Sequence, residues 1–154
     1  MSDHPISSKE ELARFFLDAF KPMDDWRMGI EFEKLGVNPS TGKALPFSGP
    51  EGVEQVLSRM AEQFGWSPCL KEGRLLELER QGCRITLEPG SQLELSGAPH
   101  HTLHEMAVEV KVHLEELRAV SDPDGQAWLG LGNQPVSEWK DIELLPKKRY
   151  DMMT

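Results

Sequence analysis

Three short segments of this chain alternate apolar and polar residues with the two-residue period of a β-strand, and each carries glutamate on its polar side. Ile30 and Phe32 point one way while Glu31 and Glu33 point the other; Ile85 and Leu87 leave Glu88 opposite; Gln92 and Glu94 share the side away from Leu93 and Leu95. Strands of this kind bury their apolar face under another layer and leave the polar face to water or a ligand. If the three are neighbours in one sheet, Glu31, Glu33, Glu88 and Glu94 converge.

The remaining segments supply the covering layer. Ser7 to Phe20 reads as a helix, with capping-box spacing at Ser7/Glu10 and Ser8/Glu11 and an apolar stripe of Leu12, Phe15, Phe16 and Ala19. Arg27 to Val37 follows as a strand. A second helix is expected from near Pro50 to Gly65, with Val53, Val56, Leu57, Met60 and Phe64 inward. Arg74 to Arg80 and Cys83 to Glu88 form a hairpin around Gln81 and Gly82, and Ser91 to Ser96 adds a strand after the Pro89-Gly90 break. Thr102 and Glu105 open a long helix with Leu103, Met106, Val110, Leu114 and Leu117 as its buried stripe, and Ala127 to Leu131 is a last strand. That order predicts one α+β domain, helices packed on one face of a mainly antiparallel sheet.

Charge narrows the function. The formal net charge is −9, with acidic residues spread along the chain, which argues against nucleic acid as a partner. The one dense basic run, Lys147, Lys148 and Arg149, reads as a solvated stretch. No apolar run reaches membrane-spanning length, and Met1 to Pro5 lacks the pattern of a signal peptide. Cys69 and Cys83 are too few for a disulfide scaffold, so free thiols in a reducing cytoplasm are expected.

Magnesium takes hard oxygen ligands, commonly one or two carboxylates together with water and phosphate oxygens. Glutamates two apart on one strand reach neighbouring ions, and cations relieve the repulsion that such a face builds up. Alternation alone also fits an ordinary solvated sheet face, and Glu77 and Glu79 alternate just as well. Other clusters carry less. His100, His101 and His104 beside Glu105 lack the order of a zinc-binding helix, Gly130 and Gly132 lack the third glycine of a dinucleotide fingerprint, and Trp26, Trp66, Trp128 and Trp139 read as core or interface packing.

Longer stretches of wording are more specific. Residues 28–37 (MGIEFEKLGV) and 85–99 (ITLEPGSQLELSGAP) resemble the plant and bacterial type of glutamate–cysteine ligase. The likeness continues in order through Leu103-His104, Glu109-Val110, Val112 to Leu114, Leu129 to Gly132, Gln134-Pro135 and Pro146 to Tyr150, and departs from the family pattern at Ile30, Phe32, Arg74 and Asn133.

The resemblance implies part of a glutamine synthetase-like catalytic domain and ATP-dependent joining of the L-glutamate γ-carboxylate to L-cysteine through an acyl phosphate, the first step of glutathione biosynthesis. Carried over by position, Glu31 and Glu33 match the first acidic pair of the family's metal site and Glu88 and Glu94 the second. They would hold Mg2+ against the phosphates of ATP, with Gln92 a substrate or ion contact. On this reading residues 1–154 are the N-terminal portion of one catalytic domain, inactive alone and prone to self-association through a truncated sheet edge. The alternatives are a non-catalytic relative that binds metal or a partner chain, and a γ-glutamyl ligase of another thiol pathway.

Overall fold

The computed structural model describes residues 5–146. Six strands form one sheet in the order β2-β3-β4-β5-β1-β6: β1 Glu31–Val37, β2 Ser67–Lys71, β3 Arg74–Arg80, β4 Cys83–Glu88, β5 Gln92–Ser96 and β6 Ala127–Leu129. Every neighbouring pair is antiparallel. Three α-helices accompany it: α1 Lys9–Asp18, α2 Val53–Phe64 and α3 Leu103–Ser121. The expected α+β architecture is the observed one.

The meander β2-β3-β4-β5 is built on tight local turns. Gln81 and Gly82 have φ of 50° and 85°, and Glu72 and Gly73 have 52° and 79°, so both hairpins place two successive residues in the left-handed region. Such turns match the right-handed twist of the strands they join. The first turn was expected; the second, and the strand β2 it brings in, were not. Pro68 weakens β2 as a sequence signal, yet it sits on an edge strand, where a missing N–H leaves no ladder bond unmade. β1 then enters from the other end of the chain and pairs with β5, and β6 closes the far edge on β1.

Leu76, Leu78, Ile85, Leu87, Leu93 and Leu95 line one face of the sheet and are at most 1% exposed. Val53, Val56, Leu57 and Met60 of α2 and Leu117 and Val120 of α3 complete that core. Helix α2 ends on Gly65 at φ 70°, as its sequence predicts. On β1, Gly36 is closely packed: a Cβ there would lie 2.8 Å from Leu45 Cδ1 and 3.1 Å from the Trp128 ring, so those side chains would have to shift.

Two helical faces differ from expectation. In α3 the Thr102/Glu105 capping box is present, but Leu103 and Leu114 are exposed and His113 is buried in their place. The helix is turned so that Glu109, His113 and Glu116 meet the sheet. Glu116 accepts from Trp66 Nε1 (3.0 Å) and Arg80 Nη2 (2.9 Å), and Glu109 accepts from the Cys83 thiol (2.8 Å) and the Ala98 N–H (3.0 Å). A stripe drawn from apolar residues alone misses this face, where Glu109 and Glu116 take partners from β3, β4 and the chain on either side of the strands while the His113 ring is buried without one. Helix α1 buries no residue, and Phe15, Phe16 and Phe20 are exposed. Trp66 is buried, whereas Trp26 and Trp139, expected in packing roles, are exposed. The run Lys147 to Arg149 and the close of the motif match lie outside the described residues.

Candidate metal-binding face

The register brings the predicted carboxylates to one side of the sheet. Glu33 on β1 pairs directly with Glu94 on β5, and Glu94 pairs on its other side with Thr86 on β4. In the same-face row on one side Glu31 faces Ser96 and Ser96 faces Arg84; in the row on the other side Glu88 faces Gln92. All four glutamates and Gln92 therefore share the face opposite the helices. Glu31 and Glu33 are exposed; Glu88, Gln92 and Glu94 are half-buried.

Sheet dimensions decide how far they can cooperate. Strands lie about 4.8 Å apart and residues rise about 3.4 Å along them, so Glu33 and Glu94 have adjoining backbones while Glu31 and Glu88 are separated by about 17 Å. One ion cannot take all four. The layout is a diagonal, with the Glu33/Glu94 pair at its centre and Glu31 and Glu88 at its ends, and it suits more than one cation. Among the described residues no three His, Cys, Asp or Glu side chains are already drawn together as a closed metal site. The fit lies in the donor chemistry: carboxylate and amide groups, whose oxygens magnesium prefers along with water and phosphate, sit on one exposed to half-buried face.

Electrostatics separates Glu31, Glu33 and Glu94 from the other alternating glutamates. Glu79 accepts from Arg84 at 2.8 Å, and Glu77 lies between Lys71 (3.3 Å) and Arg84 (3.7 Å), so both are neutralised in place. Glu31, Glu33 and Glu94 form no ion pair within the described residues. Glu33 and Glu94, side by side, repel each other, a pairing that destabilises a bare sheet.

Sequence reasoning passed over three residues here. Lys34 is 1% exposed on the helix side of β1, with Nζ donating to the Phe32 carbonyl. Burial pulls its pKa down to about 8, against the opposing pull of Glu33 and Glu94. A lysine at an inward-pointing strand position was the available signal. Thr86 and Ser96 contact Glu94: Thr86 Oγ1 donates to Oε2 at 3.2 Å and Ser96 Oγ to Oε1 at 2.9 Å. Both fall on the acid side of the alternation that located the glutamates.

The three histidines are not drawn together with acidic side chains as a metal site among the described residues. His100 bridges back to Met28 and lies 3.2 Å from Glu109, while His101 and Thr102 give their backbone N–H groups to Glu105. Cys69 and Cys83 are both free thiols, as expected.

Comparison with known proteins settles the family. The profile described as "Glutamate-cysteine ligase family 2(GCS2)" matches residues 27–154, which include all four glutamates and Gln92. The chain belongs to that family. Among curated members it is similar to glutamate–cysteine ligase A, chloroplastic, of Oryza sativa subsp. japonica, 37% identical over 146 residues, covering 95% of this chain and 29% of the relative. It matches the chloroplastic glutamate–cysteine ligase of Medicago truncatula at 37% identity, over 95% of this chain and 28% of that one. The Arabidopsis thaliana enzyme is 36% identical over 95% and 27%. This member thus spans less than a third of the length of these relatives.

The relatives also correct one expectation. A cytoplasmic location does not stand, because these ligases are named chloroplastic. Free thiols fit reducing surroundings and do not tell one reducing compartment from another. No helix among the described residues is long and apolar enough to cross a membrane.

Proposed function

We propose that the acidic face of this chain holds magnesium for ATP-dependent joining of the L-glutamate γ-carboxylate to L-cysteine. On this reading residues 1–154 supply part of a glutamine synthetase-like catalytic domain. The observation that carries it is the direct pairing of Glu33 with Glu94 on the face away from the core, within segments that match the ligase family.

When bound, the cations neutralise phosphate charge and stabilise what develops as the γ-phosphoryl group passes to the glutamate carboxylate. The chain's own work is to present oxygen ligands at fixed spacing. β1 and β5 set Glu33 against Glu94, β4 brings Glu88 to one end, and the start of β1 brings Glu31 to the other. The cysteine amine then attacks the acyl phosphate, forming the amide bond as phosphate leaves. Membership in the ligase family favours this reading over a module that only binds metal or a partner chain.

Glu94→Gln supplies the test, because it moves two quantities in opposite directions. Without metal it removes a like-charge pair and should leave the fold unchanged or more stable by about 0.5 kcal/mol. Mg2+ affinity, measured by titration calorimetry, should fall at least 10-fold. In a protein carrying these residues within the family's full length, phosphate release dependent on ATP, glutamate and cysteine should be lost. Wild-type Mg2+ binding or turnover in Glu94→Gln refutes the proposal.

A further inference from the structure

Glu94 differs from its neighbours in how firmly it is held. Each of its carboxylate oxygens accepts one hydroxyl, Oε2 from Thr86 and Oε1 from Ser96. The two donors come from different directions. Thr86 stands directly across on β4, and Ser96 is the next residue of β5 on the same face. Together they fix both the position of the carboxylate and the rotation of its plane. Among the described residues the Glu31 and Glu33 carboxylates accept no hydrogen bond, so these side chains keep their rotamer freedom.

A carboxylate oxygen has two lone-pair directions. The hydroxyls use one on each oxygen, which leaves each oxygen the capacity for a further partner. A short hydroxyl donor that orients a carboxylate while leaving its second lone pair free is the arrangement by which an outer layer of residues sets up metal ligands. Among the described residues neither hydroxyl bonds another partner, and both residues are half-buried, which lowers competition from water.

We infer that Thr86 and Ser96 are positioning residues that hold the Glu94 carboxylate ready for a divalent cation, making Glu94 the fixed ligand against which Glu33 closes. This rests on the reading of the acidic face as a cation site. It goes beyond that reading by giving two uncharged side chains a part in cation affinity and by ranking the carboxylates, Glu94 anchored and Glu33 adaptable.

The test is Mn2+ binding to the protein, read as loss of the free-ion electron paramagnetic resonance signal, for the wild type, Thr86→Val, Thr86→Ser, Ser96→Ala and Glu94→Gln. Thermal melting without metal is followed in parallel. Thr86→Val and Ser96→Ala should each weaken Mn2+ binding about 10-fold. Thr86→Ser, which keeps the hydroxyl, should bind like the wild type. A purely structural role would lower the melting temperature of Thr86→Val and Ser96→Ala and leave the affinity of the folded protein untouched. If Glu94→Gln loses the ion while Thr86→Val and Ser96→Ala bind like the wild type, the positioning inference fails and the cation site stands. If Thr86→Ser is weakened as much as Thr86→Val, the hydroxyl is not the active feature and the inference again fails. Absence of Mn2+ binding in the wild type overturns the cation reading itself.

Discussion

Lowering the pH should destabilise this fold through one buried histidine before the carboxylates titrate. His113 sits on the sheet side of α3, 2% exposed, with neither ring nitrogen hydrogen-bonded. Burial, reinforced by Lys34 on β1 and Arg80 on β3, pushes its pKa from 6.5 down to about 3. The folded protein therefore keeps this ring neutral, whereas the unfolded chain takes up a proton below about pH 6.5. Protons then favour the unfolded state, and stability falls as the pH drops from that point toward about pH 3. Each pH unit in that window costs about 1.4 kcal/mol, so going from about pH 6.5 to about pH 5 removes about 2 kcal/mol. For a domain of ordinary stability, about 5–15 kcal/mol, that is a substantial fraction.

Urea unfolding at about pH 7.5 and about pH 5 measures the loss directly. His113→Leu supplies the control: it deletes two unpartnered nitrogens at similar volume, so it should be no less stable at neutral pH. Its loss between the two pH values should be smaller than the wild type's by about 2 kcal/mol. The other histidines remain in the variant, so their contributions cancel in the comparison. An equal pH dependence in wild type and His113→Leu would refute the argument.

Two further predictions follow from the contacts of α3. Glu116→Ala leaves Arg80, which stacks on Trp66 at 4.2 Å, without its carboxylate and Trp66 Nε1 without its acceptor. With the two charged side chains 24% and 12% exposed, the cost should fall between exposed and fully buried pairs, about 2 kcal/mol in urea unfolding; a loss under about 0.5 kcal/mol would contradict it. The Cys83 thiol is pushed up to about 11 by burial and then by the Glu109 carboxylate it donates to. At about pH 8 iodoacetamide should therefore label Cys83 about 100-fold more slowly in the folded protein than in urea, as read by peptide mass spectrometry. Labelling at similar rates in both states would show that the thiol is not held as described.

The strands that carry the carboxylates were legible because each has a period of two with one apolar side, and strands β3 and β4 begin and end where their alternation does. The sequence also located the correct side of the sheet, since a buried face leaves only one outward choice. Register was beyond reach. That Glu33 meets Glu94, and not Glu31, follows from how β1 enters between β5 and β6, a pairing between distant segments that no local pattern encodes. Polar groups facing inward were also invisible, because Lys34, Glu109, His113 and Glu116 break the apolar pattern, and the partners of Glu109 and Glu116 are met only in three dimensions. β2 was missed because Pro68 masks it, although Glu72-Gly73 repeats the residue-then-glycine turn recognised at Gln81-Gly82.

The placement of β1 has a consequence for which changes this chain tolerates. Its odd-numbered residues Glu31 and Glu33 face outward, while Phe32 and Lys34 face the helices. Inserting or deleting one residue at the start of β1 would exchange those sets, turning two carboxylates toward the leucines of β4 and β5 and an aromatic ring into water. A length change at the exposed turn of residues 39–41 disturbs no such parity, whereas Leu45 and Phe47 beyond it are buried in the core. Single-residue insertions and deletions should therefore be accepted at that turn and rejected within β1.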